Sequence, residues 1–378
     1  MPNGRRTALI LTGGGARAAY QVGVLLAISE MLPDSRRNPF AILCGTSAGA
    51  INAATLACQA QNFRAAVHSL VEVWRGFHAH HVFRTDATGM AATGLRWVGA
   101  LALGWLVRTS PRSLLDSSPL AQLLAERLDF RGIDHAISSG DLYALSITAS
   151  GYTSGHSVSF FQARAEVCGW QRAQRVGARV RLGVEHLLAS SALPFIFPAV
   201  RIHREYFGDG SMRQLAPISP AVHLGAEKVL IIGSSRAEDP DVRFAQMQYP
   251  SLAQIAGHAL SAIFLDTLTT DIERMERINR TLSRIPEHVL VEGGIPLRPI
   301  RSLVIQPSQR LDHLAARHAR SLPLSVRALL SGIGAMNRRG GALTSYLLFE
   351  QPYTRALIDM GYADTMGRRD EVRAFLEA

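Results

Sequence analysis

A serine between two glycines is the clearest sign of chemistry in this 378-residue chain. Ser47 lies at the centre of Gly45–Gly49 (GTSAG), a G-x-S-x-G pattern between an apolar run and a segment rich in helix formers. On a sharp strand-to-helix turn such a serine projects from the sheet edge, and the helix N-terminus favours developing negative charge. The pattern predicts that Ser47 is a nucleophile. The alternative interpretation is a chance match in a glycine-rich chain.

A second glycine-rich turn precedes this serine in the sequence. Gly13–Gly15 follow an apolar run and open a helical pattern, so with Ala18 they satisfy the dinucleotide fingerprint G-x-G-x-x-G/A. That interpretation requires an acidic residue at the end of the second strand, whereas Asp34 lies in the loop before that strand. If the first two strands are adjacent and parallel, both glycine turns open at one sheet edge beside Ser47. We therefore predict that the loop amides form an oxyanion hole.

A serine nucleophile also requires a base, and Asp209 is the better candidate. It lies in Tyr206–Gly210 (YFGDG), where a glycine-flanked turn would expose its carboxylate at a sheet edge. Taken alone, an ordinary Asp-Gly turn residue is the simpler interpretation. The histidine cluster His78, His80 and His81 has no nearby carboxylate or cysteine in the sequence. We therefore expect an exposed loop or helix surface there, and no metal site.

The elements around these residues alternate between strand and helix. Apolar runs at 7–12 and 40–44 predict buried strands, each followed by a helical pattern, at 16–32 and 48–61. Two such units favour an α/β sheet with parallel strands. Residues 62–135 contain no clear strand. Further predicted elements are a hairpin from 142–149 and 157–162, a helix at 184–192, strands at 201–207, 228–233 and 302–305, and helical segments at 120–128, at 251–282 and after 305.

Composition excludes several classes of protein. The chain is 47% hydrophobic and 19% charged, which is typical of a globular protein. Three widely spaced cysteines form neither a disulfide framework nor a zinc site, so we expect a reducing compartment. The net charge of +10 comes from dispersed arginines without the aromatic interleaving of nucleic-acid binders. That charge is compatible with anionic lipid headgroups. The uncharged stretch 38–62 is too rich in turn-forming and polar residues for a membrane span.

In their order along the chain, the glycine loop, the GTSAG turn and Asp209-Gly210-Ser211 resemble the patatin-like phospholipase family. Residues 189–194 with Phe197-Pro198 are similar to the family's segment before the aspartate strand. The resemblance covers about residues 7–235, and a weaker one extends to the tail at 347–366. It implies a three-layer α/β/α fold with a mainly parallel sheet, and a Ser-Asp dyad without histidine.

The resemblance also implies a role for each matching residue. Ser47 would be the nucleophile and Asp209 the general base. The other implied site residues are Gly13, Gly14 and Gly15 as oxyanion-hole donors, with Arg17, Gly45, Gly49 and Gly210 in support. Two residues depart from the family pattern, Ala18 in place of a glycine and Ser211 in place of alanine or glycine. A hydrogen bond from the Ser211 hydroxyl to Asp209 would lower the basicity of the carboxylate.

These observations predict a carboxylic ester hydrolase that cleaves acyl esters of phospholipids or lysophospholipids through an acyl-enzyme. We expect a catalytic domain at 7–235 and a mostly helical C-terminal region at 236–378 packed on it. Within 85–130 the apolar stretch 85–115 fits a lid and an ordinary core helix pair equally. We expect no cofactor, no metal and no nucleic acid, and a cytoplasmic location with association at the inner membrane face. The alternatives are a nucleotide-binding protein that uses the glycine loop and a catalytically silent lipid-binding protein.

Overall fold

A mixed β-sheet runs through the centre of the molecule. The computed structural model describes residues 6–34, 36–86, 113–234, 268–294, 297–332 and 341–377. Within them the sheet has ten strands. These are β1 (Thr7–Leu11), β2 (Ile42–Thr46), β3 (Ala144–Gly151), β4 (Ser157–Ala163), β5 (Trp170–Arg172), β6 (Arg175–Arg179), β7 (Val200–Ile202), β8 (Glu205–Asp209), β9 (Lys228–Ile232) and β10 (Arg301–Ile305).

The strand order is β10-β9-β1-β2-β3-β4-β6-β5, with β8 paired to β3 and β7 to β8. The five strands from β10 to β3 are all parallel, as the two predicted strand-to-helix units require. The β3–β4 pair is antiparallel, which is the predicted hairpin. The predicted α/β fold with a mainly parallel sheet is therefore confirmed.

Helices cover both faces of the sheet. Along β1, Leu9 and Leu11 belong to one hydrophobic core, while Ala8 and Ile10 belong to a second. Successive side chains of a strand point to opposite faces, so a strand that contributes to two cores lies between two helical layers. The helices are α1 (Ala19–Met31), α2 (Ala48–Cys58), α3 (Phe63–Arg75), α4 (Ser118–Arg127), α5 (Arg131–Ser139), α6 (Val184–Ser190), α7 (Ser219–His223), α8 (Glu287–Glu292), α9 (Leu311–His318), α10 (Leu324–Gly332), α11 (Gly341–Leu347), α12 (Gln351–Met366) and α13 (Arg369–Glu377), with a further helical segment at 268–282.

The structure differs from the predicted elements in two places. The single strand predicted at 201–207 is a hairpin, β7 and β8, which turns at His203 with a φ of 52°. No Gly, Pro or Asn marks that turn, so the pattern reads as one strand. The edge strands β5 and β6 were not predicted, because they are short and arginine-rich. Residues 87–112 of the lid-or-core stretch and 251–267 of the predicted helix lie outside the described residues.

Residues late in the chain contact the first elements. The strand β10 pairs with β9 in the central sheet. The Tyr20 hydroxyl on α1 donates a hydrogen bond to Asp364 Oδ2 on α12 at 3.0 Å. The helices α1 and α12 therefore pack together, and the chain just before α12 contacts the β1–α1 turn at Gly15 through Tyr346.

Candidate active site

Ser47 occupies a strained turn between β2 and α2. Its φ of 54° falls in the left-handed region, which is uncommon for a residue with a side chain and marks functional sites. A Cβ at Gly45 would overlap Ala50, and one at Gly49 would overlap the carbonyl oxygens that end β1. Both glycines of the GTSAG turn are therefore required by close backbone contact, as the pattern predicts.

The backbone of Ser47 is held by a serine that sequence reasoning missed. The Ser47 N–H donates to Ser190 Oγ at 2.8 Å, and the Ser190 hydroxyl donates to the Thr148 carbonyl at 2.6 Å. Ser190 is fully buried at the end of α6. Its segment, 189–194, is similar to a segment of the family, but no local signal assigns Ser190 to the turn.

The sheet brings Asp209 to Ser47. β4 pairs with one edge of β3, so β2 and β8 must share the other edge. Thr46 is paired with Thr148, and Asp209 with Ala149, the next residue along β3. Because β2 runs parallel and β8 antiparallel to β3, their carboxyl ends meet there. Ser47, directly after Thr46, is therefore adjacent to Asp209.

Asp209 is a buried carboxylate, only 1% exposed. Its Oδ1 accepts the Ser211 N–H at 2.9 Å, whereas Oδ2 makes no hydrogen bond of regular geometry within the described residues. Burial raises the pKa of Asp209 to about 6, against smaller lowering effects from the Ser47 hydroxyl and from the Ser211 amide and hydroxyl. The Ser47 hydroxyl is therefore close enough to this carboxylate to lower its pKa, and its effect is second only to that of burial.

The glycine loop lies at the same sheet edge. β1 and β2 are parallel, with Leu11 opposite Gly45, so Gly13–Gly15 follow β1 where Ser47 follows β2. Gly15 has a φ of 54°, and a Cβ there would overlap the Tyr346 carbonyl oxygen. Gly14 packs against Ser234, whose hydroxyl donates to the Gly13 carbonyl. The loop is thus held from two sides.

Arg17, just after the loop, contacts two residues of α11. It is buried, its Nε donates to Ser345 Oγ at 2.8 Å, and its guanidinium lies 4.3 Å from the centre of the Tyr346 ring. Hydrogen bonding and a cation–π contact together fix a buried arginine. The resemblance indicated the supporting role of Arg17, but its partners are more than 300 residues away in the chain.

A largely apolar cavity of about 100 Å³ adjoins these residues. Gly15, Ser47 and Asp209 all line it, together with side chains from α2, α3, α4 and the segment after α11. Its larger apolar members include Leu70, Trp74, Phe77, Leu124, Phe197 and Phe349. An apolar cavity with a few convergent polar groups is the usual form of a small-molecule site.

The histidine cluster has a carboxylate neighbour in the folded chain. His78 Nδ1 is 2.8 Å from Glu350 Oε2, so the expectation that no carboxylate is near was wrong in three dimensions. The pair joins residues 272 apart, which no local spacing shows. Among the residues that the structure describes, no group of three or more His, Cys, Asp or Glu side chains is arranged to bind a metal.

Comparison with known proteins identifies the class. The family model of the patatin-like phospholipases matches residues 9–222, so the chain belongs to this family, whose membership is consistent with lipid hydrolase activity. A cGAMP-activated phospholipase of Pseudomonas aeruginosa is 28% identical over 211 residues, 55% of this chain and 53% of the relative. The match therefore spans about half the length of that relative.

Two solved structures align with most of this chain. VipD of Legionella pneumophila has a TM-score of 0.34 at 11% identity, over 97% of this chain and 67% of that one. ExoU of Pseudomonas aeruginosa, solved with SpcU, has a TM-score of 0.27 at 15% identity, over 94% of this chain and 70% of the matched one.

Within the described ranges, no helix is long and apolar enough to cross a bilayer.

Proposed function

We propose that this protein is a serine lipid acyl hydrolase that cleaves the acyl esters of phospholipids or lysophospholipids. The observation that carries the proposal is the pairing of Ser47, on its strained turn, with the buried Asp209 at the wall of an apolar cavity. The cavity suits an acyl chain, and the pair suits attack on its ester carbonyl.

The reaction proceeds in two halves. Ser47 Oγ attacks the ester carbonyl carbon while its proton passes to the Asp209 carboxylate. The tetrahedral intermediate collapses, the alcohol leaves with the proton from Asp209, and the acyl group remains on Ser47. Water then attacks the acyl-enzyme, gives a proton to Asp209, and the second collapse releases the fatty acid and returns that proton to Ser47.

The raised pKa of Asp209 suits this role. A carboxylate at its ordinary value of 3.8 is a weak base toward a serine hydroxyl, whereas one with a pKa of about 6 is a stronger base that is still about nine-tenths ionised at pH 7. Burial, the main cause of the shift, therefore tunes the base without removing its charge.

The glycine loop suits the oxyanion. Gly15 begins a 3-10 helix, and the first amides of a helix have no acceptor within it. The amides of Gly13, Gly14 and Gly15 are the candidate donors to the intermediate, and each such donor contributes about 10²–10³ in rate. The contacts of Ser234, Arg17 and Tyr346 with the loop support this preorganisation.

The decisive experiment labels the nucleophile. A fluorophosphonate probe is expected to label the wild type and the Ser191→Ala variant, but not Ser47→Ala. Ser191 is the matched control, because its side chain lines the same cavity. Ser47→Ala should also release no fatty acid from a phospholipid and lysophospholipid panel. Full hydrolysis by Ser47→Ala would refute the proposed function.

A nucleotide-binding function is the competing candidate. The loop that carries the fingerprint faces Ser47 and contacts Tyr346, which speaks against a pyrophosphate site there. The name of the Pseudomonas relative raises a second role for a nucleotide, as an activator. Thermal shift with NAD, ATP and cGAMP separates these: a shift with Ser47-dependent hydrolysis indicates activation, and a shift without hydrolysis favours the competitor.

A further inference from the structure

The surface beside Asp209 exposes large apolar side chains. In the described residues Tyr152, Tyr206 and Leu215 are 49%, 53% and 59% exposed. All three belong to segments that adjoin Asp209: the end of β3, strand β8 itself, and the turn after β8. Isolated exposed apolar residues need no explanation, but a group around one site indicates an interaction surface.

Strand pairing places two of these side chains together. The Tyr152 N–H donates to the Tyr206 carbonyl at 3.0 Å, which continues the β3–β8 ladder by one residue. The Tyr152 side chain lies against Gly208, two residues along β8 from Tyr206 and so on the same sheet face. Burial and the charge of Asp209 raise the pKa of Tyr152, so this ring is within electrostatic reach of the dyad.

Arginines surround the two tyrosines. Arg201 on β7 is directly opposite Tyr206, so their side chains share one face. Arg204 lies exposed in the β7–β8 turn, and the Arg213 guanidinium lies 3.8 Å from the Cβ position of Gly155, in the turn after Tyr152. In the described part of the chain, none of the three has a carboxylate within ion-pair distance.

Apart from the buried Asp209, the carboxylate in this hairpin is Glu205, and it offsets only part of the charge of the three arginines. Glu205 Oε1 accepts the amides of Thr153 and Ser154 at 3.0 and 2.6 Å, so it is occupied by the turn. Phe195, in the segment before β7, is 74% exposed and has a left-handed φ of 64°. A left-handed φ at a residue with a side chain is strained, and such strain persists only where the surrounding structure imposes it.

We infer that Tyr152, Arg201, Arg204, Tyr206, Arg213 and Leu215 form a docking face for an anionic lipid bilayer. Tyrosine rings have an apolar body and a polar hydroxyl, which suits the headgroup level of a membrane. Arginines bind lipid phosphates, and their unpaired charge complements an anionic surface. The inference rests on the proposed function, because a hydrolase of phospholipids meets its substrate at a bilayer surface.

Vesicle sedimentation tests the docking face without catalysis. Ser47→Ala protein is mixed with phosphatidylcholine vesicles, with or without phosphatidylglycerol. We expect binding only to the anionic vesicles, weakened as salt rises from about 0.1 to about 1 M. In that background, Arg201→Gln with Arg204→Gln should weaken binding about thirtyfold, since each arginine near an anionic surface contributes about fivefold.

The apolar part of the face has its own arm and matched controls. Tyr206→Ser with Leu215→Ser should weaken binding by about tenfold or more, from lost apolar burial. Ile278→Ser and Arg320→Gln, exposed residues outside the face, should bind as the parent does. The inference is overturned if both double variants of the docking face bind as the parent does, or if the control variants weaken binding equally. It is also overturned if the parent does not bind anionic vesicles. The inference is also overturned if the protein forms a dimer that the two double variants dissociate, while their binding to vesicles does not change.

A second readout separates this inference from the proposed function. With Ser47 restored, the Arg201/Arg204 and Tyr206/Leu215 double variants should hydrolyse a soluble p-nitrophenyl ester at the wild-type rate but lose activity on anionic vesicles. Equal activity on vesicles refutes the docking face and leaves the hydrolase intact. If the wild type hydrolyses neither substrate, the proposed function fails, while the sedimentation result still decides the docking face.

Discussion

Replacing Asp209 by asparagine separates catalysis from stability, because the two should change in opposite directions. Without a base the rate of hydrolysis of a soluble ester should fall by about 10²–10⁴. The fold, however, is relieved of a buried carboxylate. The rise in the pKa of Asp209 from 3.8 to about 6 means that keeping it ionised at neutral pH costs about 3 kcal/mol of folding free energy.

The sign follows from proton linkage. The folded-state pKa is higher than the unfolded one, so the contribution of Asp209 is most favourable below 3.8 and is lost as pH rises through about 6. The asparagine of the variant does not titrate. The stability of Asp209→Asn relative to the wild type should therefore increase by about 1.4 kcal/mol between pH 5 and pH 8. The asparagine amide at the Oδ2 position has no hydrogen-bond partner, and burying it costs about 1–3 kcal/mol of unfolding free energy. This cost offsets part of the gain in stability and is the same at both pH values.

Urea denaturation at the two pH values measures the difference, with Asp359→Asn as the control. Asp359 is an exposed carboxylate on α12, 3.7 Å from the Arg75 guanidinium, and its replacement is the same chemical change made at the surface. In parallel, the kcat/KM of the wild type should fall about tenfold per pH unit below about 6 and be level above it. The reasoning is refuted if Asp209→Asn keeps its activity, or if its stability relative to the wild type declines from pH 5 to pH 8.

Three further substitutions test how the site is held. Gly15→Ala should lower kcat by about 10² or more, because its Cβ would overlap Tyr346. The control Gly294→Ala, at a similar φ but with open space around the Cβ, should only destabilise the protein slightly. Equal effects of the two substitutions on kcat would contradict the clash. Ser190→Ala should lower the unfolding free energy in urea by about 1–3 kcal/mol and reduce kcat more than it raises KM, because the Ser47 amide loses its acceptor; a change in KM alone would contradict this. Tyr346→Leu should reduce kcat in the ester assay while Tyr346→Phe, which keeps the ring over the arginine, should not; equal loss in both would assign the effect to the hydroxyl.

The local parts of the site were predictable from the sequence. The GTSAG turn, the glycine loop and their adjacency follow from two strand-to-helix units in the first 60 residues, because consecutive parallel strands open their turns at one edge. Asp209 was a weaker candidate from its residues alone, since an Asp-Gly pair is usually a plain turn. Only its order after the two glycine turns, as in the patatin-like family, raised it above that.

The contacts that hold the site were not predictable. Ser190, Ser345 and Tyr346 touch Ser47, Arg17 and Gly15 across 143 to 331 positions, and nothing in their local sequence marks them. The β7–β8 turn at His203 was missed because no Gly, Pro or Asn marks it, although His203 adopts a φ of 52°.

The sequence by itself determined which groups are present and what their backbones can do. Glycines at fixed spacing allow the tight turns around Ser47, and an apolar strand before each turn directs it to the sheet edge, since these are local steric effects. Only the tertiary structure decided where the Asp209 carboxylate lies and how high its pKa is. Pairing of β8 on the same edge of β3 as β2 sets its distance from Ser47, and burial sets its pKa. Both depend on residues distant in the chain, because desolvation arises only when the packed fold excludes water.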